Sequence, residues 1–382
     1  MKKILLIHNR YKYQGGEDLA VENEVELLKK DYIVDNLYFE NDLKNILSLI
    51  FSFLFNYNPS SKKILQNKLK EFNPDYAYIH NTWFKASLGI FKVLERENIP
   101  IILKIHNFRY FCTRSFFANT HFDGAEECQA CGAKKRDFGF FNRYFQNSII
   151  KSLFVNIYGQ KYFKVLKNTN IKILVLTKFH EKFLLKLTNN ENIKIFPNFL
   201  KVDLALENNN LSEKFIVYAG RISSEKGVEE LINSVIELKD KSLILKIIGE
   251  GPQLKDLKNR FQNENIHFLG KLDNNEVLKT MASSLGVVTA TKLYEGQPTL
   301  LCEASKLSIP SIFPRSGGIN EFFPENYELS FEQFNYEDLK NKIKLLSNEK
   351  LRLNIGEHNK KFINSYLDED KLSNIFKDIL NG

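Results

Sequence analysis

Long apolar stretches are missing from this 382-residue chain. The longest covers residues 46–55 and is interrupted by Ser48 and Ser52. A helix needs roughly 20 apolar residues to cross a bilayer, so none is expected to span one. Met1-Lys2-Lys3 is followed by only a short apolar run, Ile4-Leu5-Leu6-Ile7. That run is too short for a secretory core and is expected to be a buried strand. Both absences point to a cytoplasmic protein. Cysteine is sparse as well: Cys112, Cys128, Cys131 and Cys302. In the cytosol these are expected as thiols or metal ligands rather than disulfides. No repeat or low-complexity tract is present. Hydrophobic content of 43% and charged content of 26% exclude a disordered chain.

What is there is enough for two domains of roughly 150–200 residues each. The net charge of +8 is uneven: residues 1–197 carry 30 Lys and Arg against 19 Asp and Glu, and the remainder 24 against 27. A basic half of +11 beside a half of −3 fits an anionic partner for the first half, or a merely solvated basic surface. The lysines are dispersed and no nucleic-acid module is present, so no nucleic-acid partner is expected.

Short apolar runs alternate with helical patterns. Strands are expected at 4–8, 33–38, 76–80, 101–106, 173–177 and 193–196. A second series follows Pro197, at 215–219, 243–249, 266–269, 286–290 and 309–313. Helical periodicity marks 19–30, 86–97, 228–237 and 274–283. Such alternation predicts parallel sheets buried on both faces. Two series predict two Rossmann-like α/β domains, 1–197 and 198–362, with the hinge at Pro197-Asn198. Residues 347–380 read as two helices separated near 365–368, and a closing helix over about 363–382 is expected to pack back on the first domain.

In open parallel sheets ligands bind beyond the carboxyl ends of the strands, so candidate residues should follow strands. After the first strand, Gly15-Gly16-Glu17-Asp18 opens a helix. It is either an ordinary turn or a place where backbone amides meet a phosphate. After the fourth comes His106-Asn107, either a binding histidine or a buried structural one. In the second half, the segment from Gly220 through Arg221 and Lys226 to Gly227 lies between a strand and a helix. Its two cations could hold a diphosphate. Gly249-Glu250-Gly251-Pro252 is a glycine turn that would allow close approach of a flat base. Glu295 and Glu303 bracket Gly296-Gln297-Pro298 and the start of a helix near Thr299. Free amides of Thr299 and Leu300 would suit a phosphate, and Glu303 could accept from both hydroxyls of a ribose. Ser316-Gly317-Gly318-Ile319 opens another helix after a strand.

Taken together these stretches resemble the retaining glycosyltransferase family 4, over nearly the whole chain. The resemblance implies a GT-B architecture, two Rossmann-like domains facing each other across a cleft. It implies a UDP- or GDP-sugar donor, no required cofactor and no catalytic metal. Arg221 and Lys226 would bind the diphosphate and Glu303 the ribose. Glu295, Gly296, Thr299 and Leu300 would meet donor sugar and phosphate, with Gly317, Gly318 and Ile319 closing the phosphate side. Gly16, with its neighbour Gly15, and His106 would complete the sugar site, and Gly249 and Leu272 would border the base. Glu295, His106, Arg221 and Lys226 are the expected catalytic group.

Two departures stand out. Gln297 occupies a place where the family usually has Phe. A subset of the family carries a cysteine cluster after its His-Asn motif; Cys112, Cys128 and Cys131 match it, while Tyr144 stands at the fourth place and His121 is an alternative ligand. Either a zinc knuckle or a reduced, packed loop is expected there. Residues 45–56, with Lys62-Lys63 after them, and 138–167 mix apolar and basic side chains. They are either core faces or amphipathic surfaces for an anionic leaflet. The expected role is therefore retaining transfer of a hexosyl or related group to a glycan acceptor, lipid-linked, in the synthesis of capsule, O-antigen or lipopolysaccharide. A nucleotide-sugar epimerase and an inactive GT-B-like binding subunit are the competing readings.

Overall fold

The structure, a computed structural model, describes residues 1–10, 16–40, 55–83, 85–108, 128–130, 148–188, 190–202 and 213–381. It divides into two units: Met1–Phe199 with Glu369–Gly382, and Leu200–Asp368. Each is a sheet of six parallel strands with helices between them.

In the first unit the strands are β1 (Lys3–Arg10), β2 (Ile33–Glu40), β3 (Tyr76–Ile79), β4 (Ile101–Lys104), β5 (Ile171–Val175) and β6 (Ile193–Ile195), in the order β2-β1-β3-β4-β5-β6. The connecting helices are α1 (Gly16–Leu28), α2 (Pro59–Phe72), α3 (Gly89–Arg96), α4 (Ile149–Leu166) and α5 (Lys178–Leu185). Ile4, Leu5, Leu6 and Ile7 of β1 are all fully buried, as a strand covered on both faces requires. In register, Ile7 lies between Leu37 and Ile79. α2 begins at a Pro59 preset for the first helical position, and the Asn58 side chain accepts from the amides of Ser60 and Ser61. α3 starts later than its apolar periodicity suggests, because Ser87 takes a left-handed φ of 59°.

The chain's last helix, α12 (Glu369–Asn381), belongs to this first unit. Phe376 is fully buried, its ring 5.8 Å from Tyr32, 5.4 Å from Tyr78 and 5.4 Å from Phe196. Lys30–Glu369 (2.5 Å) and Lys377–Asp31 (3.0 Å) pair at its rim.

The second unit holds β7 (Phe215–Ala219), β8 (Ile244–Ile248), β9 (Ile266–Gly270), β10 (Gly286–Val288), β11 (Ser311–Pro314) and β12 (Ser330–Phe331), ordered β12-β11-β10-β7-β8-β9. Around them lie α6 (Val228–Glu237), α7 (Leu254–Arg260), α8 (Asn274–Ala282), α9 (Thr299–Lys306), α10 (Tyr336–Leu345) and α11 (Glu349–Tyr366). The strand sequence reverses between β7 and β10, and in the first unit between β1 and β3. A loop leaving each strand of such a pair runs away from its neighbour, which opens a crevice at their carboxyl ends.

Candidate active site

Backbone contacts hold together the loops that leave the carboxyl ends of the second sheet. The Gly220 amide donates to Ile248 (2.9 Å), Ile222 to Glu250 (2.9 Å) and Gly249 to Gly270 (2.7 Å). Lys292 donates to Glu225 (2.9 Å), and Gly318 to Glu295 (2.8 Å). The glycines are demanded by this packing. A Cβ on Gly227, at φ 67°, would lie 2.0 Å from the Ala290 carbonyl oxygen. One on Gly249 would lie 1.9 Å from that of Gly220, so here the close neighbour is another strand's exit loop. One on Gly317, at φ 61°, would meet the Glu295 backbone at 2.5 Å. Five loops thus form one fixed rim.

On that rim Lys226 Nζ lies 2.5 Å from Glu295 Oε1, and the Thr291 hydroxyl donates to the same oxygen at 3.1 Å. The pair is about a quarter to a third exposed, so solvent reaches it and either partner can be exchanged for a ligand at modest cost. Burial, with Glu295 and Glu225 nearby, pushes the Tyr218 phenol well up, and its hydroxyl donates to the Arg221 carbonyl at 2.8 Å. The Arg221 side chain is exposed and, among the described residues, makes no ion pair.

α9 begins at Thr299 behind Pro298, which offers no side-chain cap. Its first backbone bond runs from Cys302 to Pro298 (3.0 Å), so the first-turn amides have no partner within the helix. One turn in, Glu303 is 6% exposed, and no hydrogen bond or ion pair engages its carboxylate among the described residues. Burial alone raises its carboxyl to about 7. Gln297 is buried too, within hydrogen-bond reach of the Cys302 thiol, which burial pushes up. Ser316 donates to Leu293 (3.0 Å), fixing the turn that carries Gly317, Gly318 and Ile319.

The structure therefore brings Lys226, Glu295, Gly317 and Gly318 into direct contact, and joins Gly220 to Gly249. Among the described residues no hydrogen bond or ion pair links Leu272 or Glu303 to the Lys226–Glu295 pair. Leu272 sits half-buried in the loop after β9.

In the first unit Gly16 is the exposed first residue of α1, and Gly15 lies outside the described residues. His106 follows β4, and its Nε2 is 2.9 Å from His80 Nδ1, with the rings stacked at 5.2 Å. Burial holds both imidazoles well below their ordinary pKa, so both are neutral. Behind them Glu24 of α1 bonds to Lys104 of β4 and accepts from the Tyr78 hydroxyl (2.8 Å). His8 Nε2 is 2.9 Å from Asp18 in a pair that is almost wholly buried. Sequence reasoning named His106 but missed Glu24 and Lys104. Their signal is a charge at an apolar position: Lys104 within Ile101-Ile102-Leu103-Lys104-Ile105, and Glu24 one turn from Val21 and Leu28.

Of the expected cysteine cluster, Cys128 is buried, whereas Cys112, His121, Cys131 and Tyr144 lie outside the described residues. Among the described residues no group of three metal-ligating side chains is assembled.

With this geometry in place, comparison with known proteins locates the chain. Residues 204–362 match the family model of glycosyl transferases group 1. An uncharacterized glycosyltransferase of Methanocaldococcus jannaschii is 26% identical over 224 residues, 54% of this chain and 57% of its own length. The sulfoquinovosyl transferase SQD2 of Arabidopsis thaliana is 30% identical over 125 residues, 33% of this chain and 24% of its own. The matches thus span between a quarter and just over half of these curated relatives. Among solved structures, sucrose-phosphate synthase of Thermosynechococcus elongatus superposes with a TM-score of 0.74 at 13% identity, covering 100% of this chain and 98% of that one. HepE of Anabaena, in complex with UDP and glucose, gives 0.71 at 13% identity with full coverage of both. The fold is that of the GT-B glycosyltransferases: two parallel-sheet, Rossmann-like α/β domains.

Proposed function

We propose that the protein is a glycosyltransferase that moves a hexosyl or related group from a UDP- or GDP-sugar to a glycan acceptor with retention of configuration, and without cofactor or metal. The observation that carries this is Glu303, a carboxylate 6% exposed that no hydrogen bond or ion pair engages among the described residues, on the helix that starts just after Glu295 and Pro298. Leaving a largely buried carboxylate unpaired is costly, so a partner supplied from outside is the economical explanation. A ribose brings two hydroxyl donors to its two oxygens.

The remaining roles follow from charge. The exposed Arg221 and the Lys226 ammonium meet the diphosphate, with the open first-turn amides of Thr299 and Leu300 and the turn at Gly317, Gly318 and Ile319. Diphosphate arrival draws Lys226 from Glu295, whose carboxylate is then free to accept from hydroxyls of the transferred sugar beside Gly296. Positive side chains and helix amides stabilise the departing nucleotide without a metal. The acceptor hydroxyl attacks the anomeric carbon on the face the phosphate leaves, and a leaving-phosphate oxygen takes its proton. Gly249 and Leu272 border the base. Gly16 and His106 of the first unit add contacts to the substrates.

A thermal-shift screen of UDP- and GDP-sugars tests the binding part. A ligand at 100 times its Kd adds about 2.7 kcal/mol of stability, and no shift with any of them refutes the donor class. Product analysis with a glycan acceptor tests the chemistry, because an epimerase changes the sugar nucleotide with no acceptor present and an inactive subunit changes nothing. We further place the acceptor among lipid-linked glycans of cell-surface polysaccharide synthesis, with the protein cytoplasmic and peripheral to an anionic leaflet. Exposed Ile149, Ile150 and Leu153 of α4, and Phe55, Tyr57 and Ile64 near Lys62 and Lys63, support that placement. No described helix is long and apolar enough to cross a membrane. Salt-sensitive co-sedimentation with anionic liposomes is expected, and its absence refutes the docking.

A further inference from the structure

We propose that His80 is a positioning residue that locks His106 into one tautomer, with its proton on Nε2 and a bare Nδ1 turned to a hydroxyl donor. The argument begins at Glu24. Its Oε1 takes the Lys104 ammonium and its Oε2 accepts from Tyr78. His80 Nε2 is buried, has no hydrogen-bond partner among the described residues and lies 3.7 Å from that Oε2. This is too long for a hydrogen bond but close enough for charge to decide the proton. A ring lone pair aimed at a carboxylate oxygen would be repelled, while an N–H there is attracted. His80 therefore carries its proton on Nε2 and offers the Nδ1 lone pair to His106.

Only one proton fits between His80 Nδ1 and His106 Nε2, which are 2.9 Å apart. Since His80 Nδ1 is bare, that proton belongs to His106 Nε2. A neutral imidazole has one donor and one acceptor, so His106 Nδ1 is then an acceptor. It is buried and, among the described residues, without a partner, and His106 lines a pocket with His80, Lys104, Asn107, Tyr158 and Tyr162. What the described residues leave on His106 is an acceptor awaiting a donor. The chemical class that fits is an alcohol, such as a hydroxyl of the transferred sugar. The occupant rests on the transferase reading; the tautomer does not.

The test is imidazole NMR on the full chain with isotope-labelled histidine, with H106Q assigning the His106 signals, alongside steady-state kinetics. In the wild type we expect His106 protonated on Nε2 alone. H80L removes the acceptor and is expected to give mixed tautomers, with kcat falling about tenfold and the donor KM nearly unchanged. H80N places an amide oxygen where Nδ1 stood and is expected to restore both the tautomer and the turnover. Should H80L not fold, the wild-type and H80N spectra still decide. A proton on His106 Nδ1 in the wild type, or an unaltered single tautomer in folded H80L, overturns the inference. The expected tautomer with no transfer from any UDP- or GDP-sugar would uphold it and sink the transferase reading instead.

Discussion

Replacing Glu303 by Gln should make the protein more stable and worse at holding a nucleotide. Unfolded, this carboxyl ionises near its ordinary 4.5; folded, burial holds it at about 7. Below 4.5 both states carry the proton and Glu303 costs nothing. Between 4.5 and 7 the unfolded chain loses its proton first, so stability falls as pH rises. Above 7 the full penalty is present. At 1.36 kcal/mol per pH unit it is about 3 kcal/mol, little screened because the residue is 6% exposed. E303Q, uncharged and nearly the same size, should recover much of it. For the second unit that is a gain of roughly 5–10 °C in thermal midpoint above pH 7, vanishing below pH 4.5. Binding should move the opposite way. Two hydroxyl donors favour the carboxylate, so the parent should release about half a proton per nucleotide at pH 7. Calorimetry in buffers of different ionisation enthalpy reads that release. E303Q should release none and bind roughly 10–100-fold more weakly. A variant no more stable than its parent at pH 8, or one that binds UDP and GDP equally well, refutes the reasoning.

Other outcomes follow from the same geometry. Arg221→Ala removes an exposed cation that makes no ion pair among the described residues, so folding stability should stay within about 0.5 kcal/mol; UDP affinity should drop and lose part of its salt dependence in titrations at varied ionic strength. Lys226→Ala breaks a partly exposed pair, so chemical denaturation should change by less than about 1 kcal/mol while turnover collapses. Gly227→Ala asks an L-residue to adopt φ 67° against the Ala290 carbonyl; denaturation should show a loss of about 1–3 kcal/mol or more, with weaker nucleotide binding. Phe376→Ala empties a fully buried site among Tyr32, Tyr78 and Phe196 and should cost the first unit about 3–5 kcal/mol; a loss under about 1 kcal/mol would mean that α12 does not pack as described.

The strand–helix alternation was legible because parallel strands covered on both faces read as unbroken apolar runs, and 215–219 coincides with β7. β12 was not legible, since two residues, Ser330 and Phe331, form no pattern. At the rim of the second sheet, Gly220, Gly227, Gly317 and the charges beside them sit in short contiguous motifs that a sequence displays directly. The first unit's cluster is otherwise. Glu24, His80, Lys104 and His106 come from three separate segments, and the lysine and glutamate read as surface charges until the sheet brings them together. The pairing of Lys226 with Glu295 was equally hidden: the motifs place both residues near a ligand but do not say that they hold each other without one.

Hydrogen–deuterium exchange of the full chain, with and without saturating UDP or GDP, addresses the account most directly. One of the two nucleotides should slow exchange in residues 220–228, 295–303 and 317–319 together. Binding that leaves those three segments unprotected, or protects others in their place, would contradict it.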